Sequence, residues 1–213
     1  MIINENNFTL ISKKISTKRH KGKKRILIGI VGPPCSGKST FSLEFNNFLI
    51  RKNKKEYSKV VPMDGFHFDN IILKKRNLLA RKGDPITFDA YGFVDLVKKI
   101  KFNTNSPVAL PVFDRDLELS RGSADIVQKN NRIIIIEGNY LLLKNAPWNF
   151  LKKYIDIFVF LNVDKKILHE RSKKRWKHYG VSKKEILKKV KNDMNSVKIV
   201  LQNSNKAHIV IEN

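Results

Sequence analysis

Residues 32–39 constrain the fold of this chain more than any other segment. They read GPPCSGKS and fit the phosphate-binding pattern GxxxxGK(S/T). The apolar run Ile26–Val31 precedes them, and a helix with Phe41, Phe45 and Phe48 at helical spacing follows. A buried strand that turns through a glycine-rich loop into a helix directs backbone N–H groups and the positive helix end at one point. The pattern therefore predicts a polyphosphate site in an α/β fold.

The residues of this loop have distinct expected tasks. Gly32 and Gly37 permit the tight turn, Lys38 reaches the β- and γ-phosphates, and the Ser39 hydroxyl meets Mg²⁺. The ligand is expected to be a nucleoside triphosphate, with ATP and Mg²⁺ as cofactors. The predicted nucleotide-binding residues are Gly32, Pro33, Pro34, Cys35, Ser36, Gly37, Lys38, Ser39 and Thr40.

The charge of the chain raises nucleic acid or a membrane as a partner. It has 43 lysines and arginines against 19 acidic residues, a net charge of +24 over 213 residues. The excess is mostly lysine, in a chain also rich in asparagine and isoleucine, which is typical of AT-biased codons and of lysines scattered over solvated faces. We therefore expect neither a membrane partner nor specific nucleic-acid recognition.

Length and cysteine content limit the organisation and the compartment. We expect a basic N-terminal leader at 1–25 and one domain at 26–213, with a lid at about 164–182. The single cysteine, Cys35, excludes an intramolecular disulfide and a cysteine-rich zinc site. The first residues lack the order of a signal peptide, which favours a cytoplasmic protein. Oligomeric state stays open, with a homodimer as one option.

Strand and helix patterns alternate along the chain. Strands are predicted at 26–31, 59–63, 108–110, 133–136, 155–161 and 209–211. Helices are predicted after Asp69 as far as Gly83, after Asp89, from Asp164 to about Tyr179, and after the capping box that begins at Ser182. A short helix is expected around Phe8 to Ile15. This order predicts a three-layer P-loop fold: a mostly parallel sheet flanked by helices, with a helical lid and ligands at the carboxyl ends of the strands.

Three carboxylates follow predicted strands. If the strands run parallel, Asp64, Asp114 and Glu137 gather at one edge of the sheet beside the phosphate loop. Phosphoryl transfer needs one group to position or deprotonate the acceptor hydroxyl and others to hold Mg²⁺. Asp64 is our candidate for the base, and Glu137 for a magnesium-linked acid together with Ser39. The competing interpretations are a turn cap at Asp64 and a solvated side chain at Glu137.

Further polar residues flank these positions. His67 could touch the acceptor or hydrogen-bond a loop carbonyl, and the sequence does not choose. Arg171 and Arg175 lie four residues apart on one helical face, where a closing lid would neutralise charge on the transferred phosphoryl group. The alternative is an exposed basic face. Arg115 and Arg121 follow the third predicted strand and could meet an anionic or polyhydroxylated acceptor.

These segments together resemble the phosphoribulokinase, uridine kinase and pantothenate kinase superfamily of P-loop small-molecule kinases. The resemblance covers about residues 26 to 210. MDGFHFDN at 63–70, LARKGDPITFDAYGF at 79–93 and LPVFDR at 110–115 are similar to the bacterial pantothenate kinase arrangement. PMDGFH at 62–67, EGNYLLL at 137–143 and the Arg175-Trp176 pair are closer to a bacterial branch labelled nucleoside or nucleotide kinase, or fructose transport system kinase.

The resemblance implies roles for the same residues. Asp64 matches the family base, Lys38 and Ser39 the triphosphate and magnesium contacts, and Arg171 and Arg175 the lid. Asp89 matches an aspartate that supports the acceptor pocket or only caps its helix.

Two departures from the family patterns bear on the acceptor. Arg115 stands where pantothenate kinases carry a histidine that contacts pantothenate. FDRDLELSR at 113–121 does not reproduce the uridine kinase pattern. Neither substrate is supported.

The sequence therefore predicts a kinase that moves the γ-phosphate of ATP to a hydroxyl of a small metabolite, such as a sugar, a nucleoside or a pantothenate-like compound. The acceptor-binding residues are expected to be Asp64, His67, Asp89, Asp114, Arg115 and Glu137. One alternative is a P-loop ATP-binding regulator with little turnover, and another is a nucleic-acid-associated NTPase. A regulatory GTPase is disfavoured because no NKxD motif occurs in the sequence.

Overall fold

The computed structural model describes residues 5–19, 25–53, 57–103 and 105–213. Its helices are α1 (Glu5–Arg19), α2 (Lys38–Lys52), α3 (Asn70–Lys75), α4 (Ala90–Phe102), α5 (Lys165–His178) and α6 (Lys183–Asn203). Its strands are β1 (Ile26–Val31), β2 (Ser58–Pro62), β3 (Val108–Asp114), β4 (Leu119–Val127), β5 (Ile133–Gly138), β6 (Ile157–Asn162) and β7 (Ile209–Glu212). Short 3₁₀ helices span Met63–Phe66, Leu79–Arg81, Pro85–Thr87 and Trp148–Lys153.

A parallel five-stranded sheet forms the centre of the molecule. Its strand order is β2-β5-β1-β6-β7. Every residue of β1 and β5 is buried, as their continuous apolar runs predict for strands covered on both faces. After β1 the chain continues to β2, which lies on one side of β1, and after β5 it crosses to β6 and β7, which lie on the other side. The carboxyl end of β1 is therefore the switch point at which this class of sheet binds ligands.

Apolar clusters on the two faces of the sheet give the three layers. On one face α1 and α2 pack against the sheet, with the rings of Phe41, Phe45 and Phe48 in the core. On the other face α4 and the segment after β5 supply Phe93, Tyr140 and Trp148. The predicted three-layer P-loop fold is confirmed: one helical layer packs on each face of the sheet.

The third predicted strand does not belong to this sheet. β3 pairs with β4 in a separate antiparallel hairpin, so the expectation that Asp114 follows a parallel strand is wrong. The reason is β4, which the sequence analysis missed because it is polar and largely exposed. The hairpin packs against Met63–Phe66 instead: Ser120 donates a hydrogen bond to the Gly65 carbonyl, and a Cβ on Gly65 would lie 2.3 Å from the Pro111 carbonyl oxygen.

The helix after Asp69 is much shorter than predicted. Asp69 caps it, accepting from the backbone N–H of Ile71 at 2.7 Å, but α3 ends at Lys75. Asn77 then adopts a left-handed conformation with φ of 56°, which interrupts the helix well before Gly83. The remaining residues of this segment form turns and 3₁₀ helices, and these bring 82–89 back toward 64–67.

The N-terminal segment carries a helix that joins the core. The helix expected around Phe8 to Ile15 is present and extends over Glu5–Arg19. Phe8, Ile11 and Ile15 are buried, and the Phe8 ring lies 5.2–5.4 Å from the rings of Phe41 and Phe48 in α2. Residues 1–4 and 20–24 of the predicted basic leader lie outside the described residues. Among the described residues, no helix is both long and apolar enough to cross a bilayer.

Replacing Phe8 tests whether α1 supports the phosphate-loop helix. Phe8 is 1% exposed, and we expect Phe8→Ala to lower the free energy of unfolding by about 3 kcal/mol or more, because a large core side chain leaves a cavity. The matched control is Leu10→Ala on the same helix, where the leucine is 50% exposed, with an expected change within about 0.5 kcal/mol. Urea denaturation measures both. Equal, small losses would contradict the packing of α1 on α2.

Candidate active site

The loop between β1 and α2 has the backbone of a phosphate cradle. Cys35 and Gly37 adopt left-handed conformations with φ of 63° and 86°. At Gly32 the constraint is space, because a Cβ would lie 2.6 Å from Ser36 Oγ and 2.9 Å from the Leu161 carbonyl oxygen. No side chain caps the start of α2. The positive end of the helix is therefore left for an anion.

Lys38 and Glu137 bring two charges into this buried junction. Lys38 donates from Nζ to the Pro33 carbonyl at 3.0 Å. Burial lowers the pKa of Lys38, while the charges of Glu137 and Asp64 act in the opposite direction. Burial likewise raises the pKa of Glu137, opposed chiefly by Lys38. A bound polyphosphate would stabilise the charged lysine that burial disfavours.

Glu137 occupies the end of β5, opposite Ile30 of β1. Ser39, in the first turn of α2, donates its hydroxyl to Glu137 Oε1 at 3.2 Å. The predicted magnesium pair is therefore brought together by the β1–β5 register. Mg²⁺ binds proteins through one or two such oxygen ligands, with the remaining positions taken by water and substrate phosphates, so this donor set fits the ion. No cluster of three or more metal-ligating side chains occurs in the described part of the chain.

Asp64 lies in the 3₁₀ turn after β2, at the same edge of the sheet. Its carboxylate accepts a hydrogen bond from Arg115 Nη2 at 2.8 Å, and both side chains are partly exposed. Arg115 stands at the turn of the β3–β4 hairpin. The sequence predicted both residues for the acceptor side but not their pairing, which depends on the hairpin that docks over Met63–Phe66.

His67 closes one wall of this region. Its ring centroid lies 3.9 Å from that of Phe88 and 5.0 Å from that of Phe113. Its Nδ1 is buried without a hydrogen-bond partner. Burial lowers the pKa of His67 to about 4, although Asp64 acts in the opposite direction. The ring is therefore neutral at physiological pH, and its contact with the acceptor stays a prediction.

Backbone contacts join the segment 82–89 to the turn after β2. His67 and Phe88 form an antiparallel bridge, and the Asp89 N–H donates to the Phe66 carbonyl at 2.8 Å. The Asp89 side chain caps α4, accepting from the Gly92 N–H at 2.9 Å. This contact agrees with the helix-capping alternative for Asp89 and leaves a role in the acceptor pocket as a prediction.

Ion pairs line the rest of the acceptor side. Arg121 Nε lies 3.2 Å from Asp114 Oδ2, and Lys82 Nζ lies 3.0 Å from Glu118 Oε2. Asp114 also accepts from the backbone N–H groups of Asp116 and Leu117, so it shapes the hairpin turn. The sequence analysis missed Lys82 and Glu118, which are 36 residues apart and meet only through the docked hairpin.

The two arginines predicted for the lid, Arg171 and Arg175, lie on α5. Arg171 Nη1 lies 3.5 Å from the Cys35 carbonyl oxygen. Arg175 instead pairs with Asp193 of α6, at 2.9 and 3.1 Å from its two oxygens. The sequence analysis missed Asp193, although it is the only acidic residue in 186–211. Apart from the capping residue Glu185, Asp193 is the one acid in the lysine-rich α6, and that isolation is a signal that could have found it.

Comparison with known proteins agrees with this geometry. The model of the Phosphoribulokinase / Uridine kinase family matches residues 27–213. The chain belongs to this family. Family membership makes it a P-loop small-molecule kinase and favours that interpretation over a GTPase or a nucleic-acid-associated NTPase.

Individual relatives and solved structures show how far the similarity extends. A Schizosaccharomyces pombe protein provisionally named a uridine kinase is 33% identical over 90% of this chain and 85% of its own length. A crystal structure of a protein provisionally described as a fructose transport system kinase, from Silicibacter sp. TM1040, superposes with a TM-score of 0.82 and 34% identity. That match covers 88% of this chain and 90% of the other. A pantothenate kinase from Ligilactobacillus salivarius is 27% identical over 68% of this chain but only 47% of its own length.

The buried His67 makes stability depend on pH. Its folded-state pKa of about 4 lies below the ordinary 6.5, so its contribution is fully present above pH 6.5 and is lost as pH falls toward 4. Between pH 7 and pH 4 we expect the wild type to lose about 3 kcal/mol more unfolding free energy than His67→Gln. Urea titrations at the two pH values measure this difference. His178→Gln, at an exposed position, should behave like the wild type; the same behaviour from His67→Gln would contradict a neutral, buried His67.

Proposed function

We propose that this kinase uses ATP and Mg²⁺ to phosphorylate a hydroxyl group of a small, uncharged, polyhydroxylated metabolite, such as a sugar or a nucleoside. The observation that carries the proposal is the shared sheet edge, where the phosphate loop, Glu137 and Asp64 lie at the carboxyl ends of the neighbouring strands β1, β5 and β2. Donor and acceptor groups at one edge are what in-line transfer of a phosphoryl group requires.

On the donor side, the loop and the start of α2 bind the phosphates, and Lys38 supplies a positive charge among them. Ser39 and Glu137 would hold Mg²⁺, which, when bound, neutralises charge on the phosphate oxygens. Arg171 and Arg175 place two further cations on the lid helix. Closure of this helix over the loop would exclude water from the site.

On the acceptor side, Asp64 accepts the proton of the attacking hydroxyl. Its carboxylate accepts a hydrogen bond from Arg115 at 2.8 Å, which fixes its orientation. The acceptor hydroxyl therefore has to share Asp64 with Arg115 or displace it. The rings of His67, Phe88 and Phe113 supply an apolar wall against which a sugar or base can pack.

Charge balance separates neutral from anionic acceptors. The acceptor segments 64–91 and 111–121 contain seven acidic residues and seven lysines and arginines, so the whole net charge of +24 lies elsewhere in the chain. Four of these seven cations pair with carboxylates: Arg115 with Asp64, Arg121 with Asp114, Lys82 with Glu118, and Arg81 with Asp84. Recognition of a phosphate or carboxylate normally uses cations that can give their hydrogen bonds to the ligand. Carboxylates that alternate with guanidinium groups therefore suit a neutral compound with several hydroxyl groups better than they suit an anion.

The names and coverages of two relatives also favour a neutral acceptor. The uridine kinase named above takes a nucleoside by its name, and its match covers 90% of this chain. The pantothenate kinase takes an acid by its name, and its match covers 68%. Arg115 departs from the pantothenate kinase pattern, and residues 113–121 depart from the uridine kinase pattern, so the proposal names a class of neutral acceptor and not one compound.

Release of ADP across a panel of acceptors tests the proposal. With MgATP, the panel pairs neutral sugars and nucleosides with their monophosphates and adds pantothenate. We expect a neutral compound to raise the rate at least tenfold above background hydrolysis, since transfer to a positioned hydroxyl outcompetes water, on the order of 10² or more. Lys38→Ala controls for contaminating activity and should release little ADP. A strongest response to a phosphorylated compound or pantothenate would overturn the acceptor class. No response to any compound would favour the ATP-binding regulator with little turnover.

A further inference from the structure

Asp193 gathers the polar groups of the lid helix at one point. Its carboxylate accepts from Arg175 Nη2 at 2.9 and 3.1 Å, from Trp176 Nε1 at 2.8 Å and from Ser172 Oγ at 2.5 Å. All three donors belong to α5, whereas Asp193 belongs to α6. Its side chain is only 14% exposed. A carboxylate that is largely shielded from solvent and accepts hydrogen bonds from three side chains fixes the geometry of those side chains.

The helix that carries Asp193 is itself anchored to the phosphate loop. Val197 of α6 packs with Leu168 of α5 and with Val163 in a small apolar cluster, and Cys35 of the phosphate loop packs against the same cluster. The residue before Asp193, Asn192, donates its amide to the Ala80 carbonyl at 2.5 Å. Asp193 is thus placed relative to the phosphate loop and to the acceptor segment by contacts on both sides.

Arg175 is close enough to the phosphate loop for its charge to be felt there. It acts on the ionisation of both Cys35 and Lys38. Its guanidinium carbon lies 4.6 Å from the Trp176 ring centroid, so the group is held from one side by an aromatic ring and from another by Asp193. Its Nε is buried without a hydrogen-bond partner. A buried, unpaired donor on a cation beside a phosphate loop suits an anionic ligand oxygen.

We propose that Asp193 is the positioning residue that holds Arg175 beside the phosphate loop, so that the lid presents an already oriented guanidinium group to the terminal phosphate of the nucleotide. This inference rests on the proposed function. Asp193 would not touch the nucleotide; it acts through Arg175. Because the γ-phosphate distinguishes ATP from ADP, Asp193 should influence the affinity for ATP more than the affinity for ADP.

Titration calorimetry with MgATP and MgADP tests this role without an acceptor. For Asp193→Asn we expect the preference for ATP over ADP to fall by about tenfold or more, the worth of one charge-assisted hydrogen bond, with ADP affinity nearly unchanged. Arg175→Ala should lose the same preference, and the double variant should lose no more than either single variant. The matched control is Glu170→Gln, which removes an exposed carboxylate from α5 and should keep the wild-type preference.

Each failure has its own signature. A folded Asp193→Asn that keeps the wild-type preference overturns the inference, and so does an Arg175→Ala without effect. A wild type that does not bind ATP overturns the proposed function itself. If Asp193→Asn does not fold, Arg175→Lys replaces it, because a lysine has one nitrogen and cannot contact Asp193 and a nucleotide through separate nitrogens, as a guanidinium group can. Retention of the full ATP preference in Arg175→Lys then contradicts the role of Asp193, and its loss supports it.

Discussion

The burial of two ionisable side chains, Lys38 and Glu137, where β1 meets α2 is the constraint on which the rest of the structure depends. Burying a lysine and a glutamate at the edge of the sheet costs free energy unless an opposite charge or strong hydrogen bonds lie beside each side chain. The parallel register of β1 and β5 places Glu137 beside the phosphate loop, where Ser39 donates to its carboxylate and Lys38 donates to the Pro33 carbonyl. The apolar strands, the two helical layers and the strained loop conformations all serve to hold this polar junction in place. A nucleotide with its cation supplies the charges that burial withholds.

The two sides of the site use charge differently. Around the phosphate loop, Lys38, Arg171 and the Nε of Arg175, which has no hydrogen-bond partner, would face a ligand with several negative charges. On the acceptor side, Arg115, Arg121 and Lys82 each pair with a carboxylate, and the acceptor segments carry no net charge in a chain of +24. The overall basicity therefore says little about the acceptor. What matters is which cations remain available after the local pairs are made.

Much of the fold and of the nucleotide side of the site could be predicted from local sequence patterns. The phosphate loop, β1, β5 and the strand-end position of Glu137 follow from contiguous residues whose periodicity and loop chemistry allow few alternatives. The parts that failed depend on tertiary placement. β4 is polar and exposed, so nothing in its sequence separates it from a loop, and without it Asp114 was assigned to the wrong sheet. The Asp64–Arg115 and Arg175–Asp193 pairs join residues on separate elements, and no spacing rule predicts them. Asn77 ended α3 early because a left-handed residue overrode an apolar pattern that continued past it.

The most direct test of the shared site is phosphoryl transfer by Asp64→Asn, with the most active acceptor of the panel. We expect ATP affinity to stay within about twofold of the wild type, because Asp64 lies outside the phosphate loop, and transfer to fall by a factor of on the order of 10² or more. Asp95→Asn, an equal charge change at an exposed position of α4, should leave both unchanged. Wild-type turnover in Asp64→Asn would contradict the claim that the edge of the sheet joins a nucleotide site to an acceptor base.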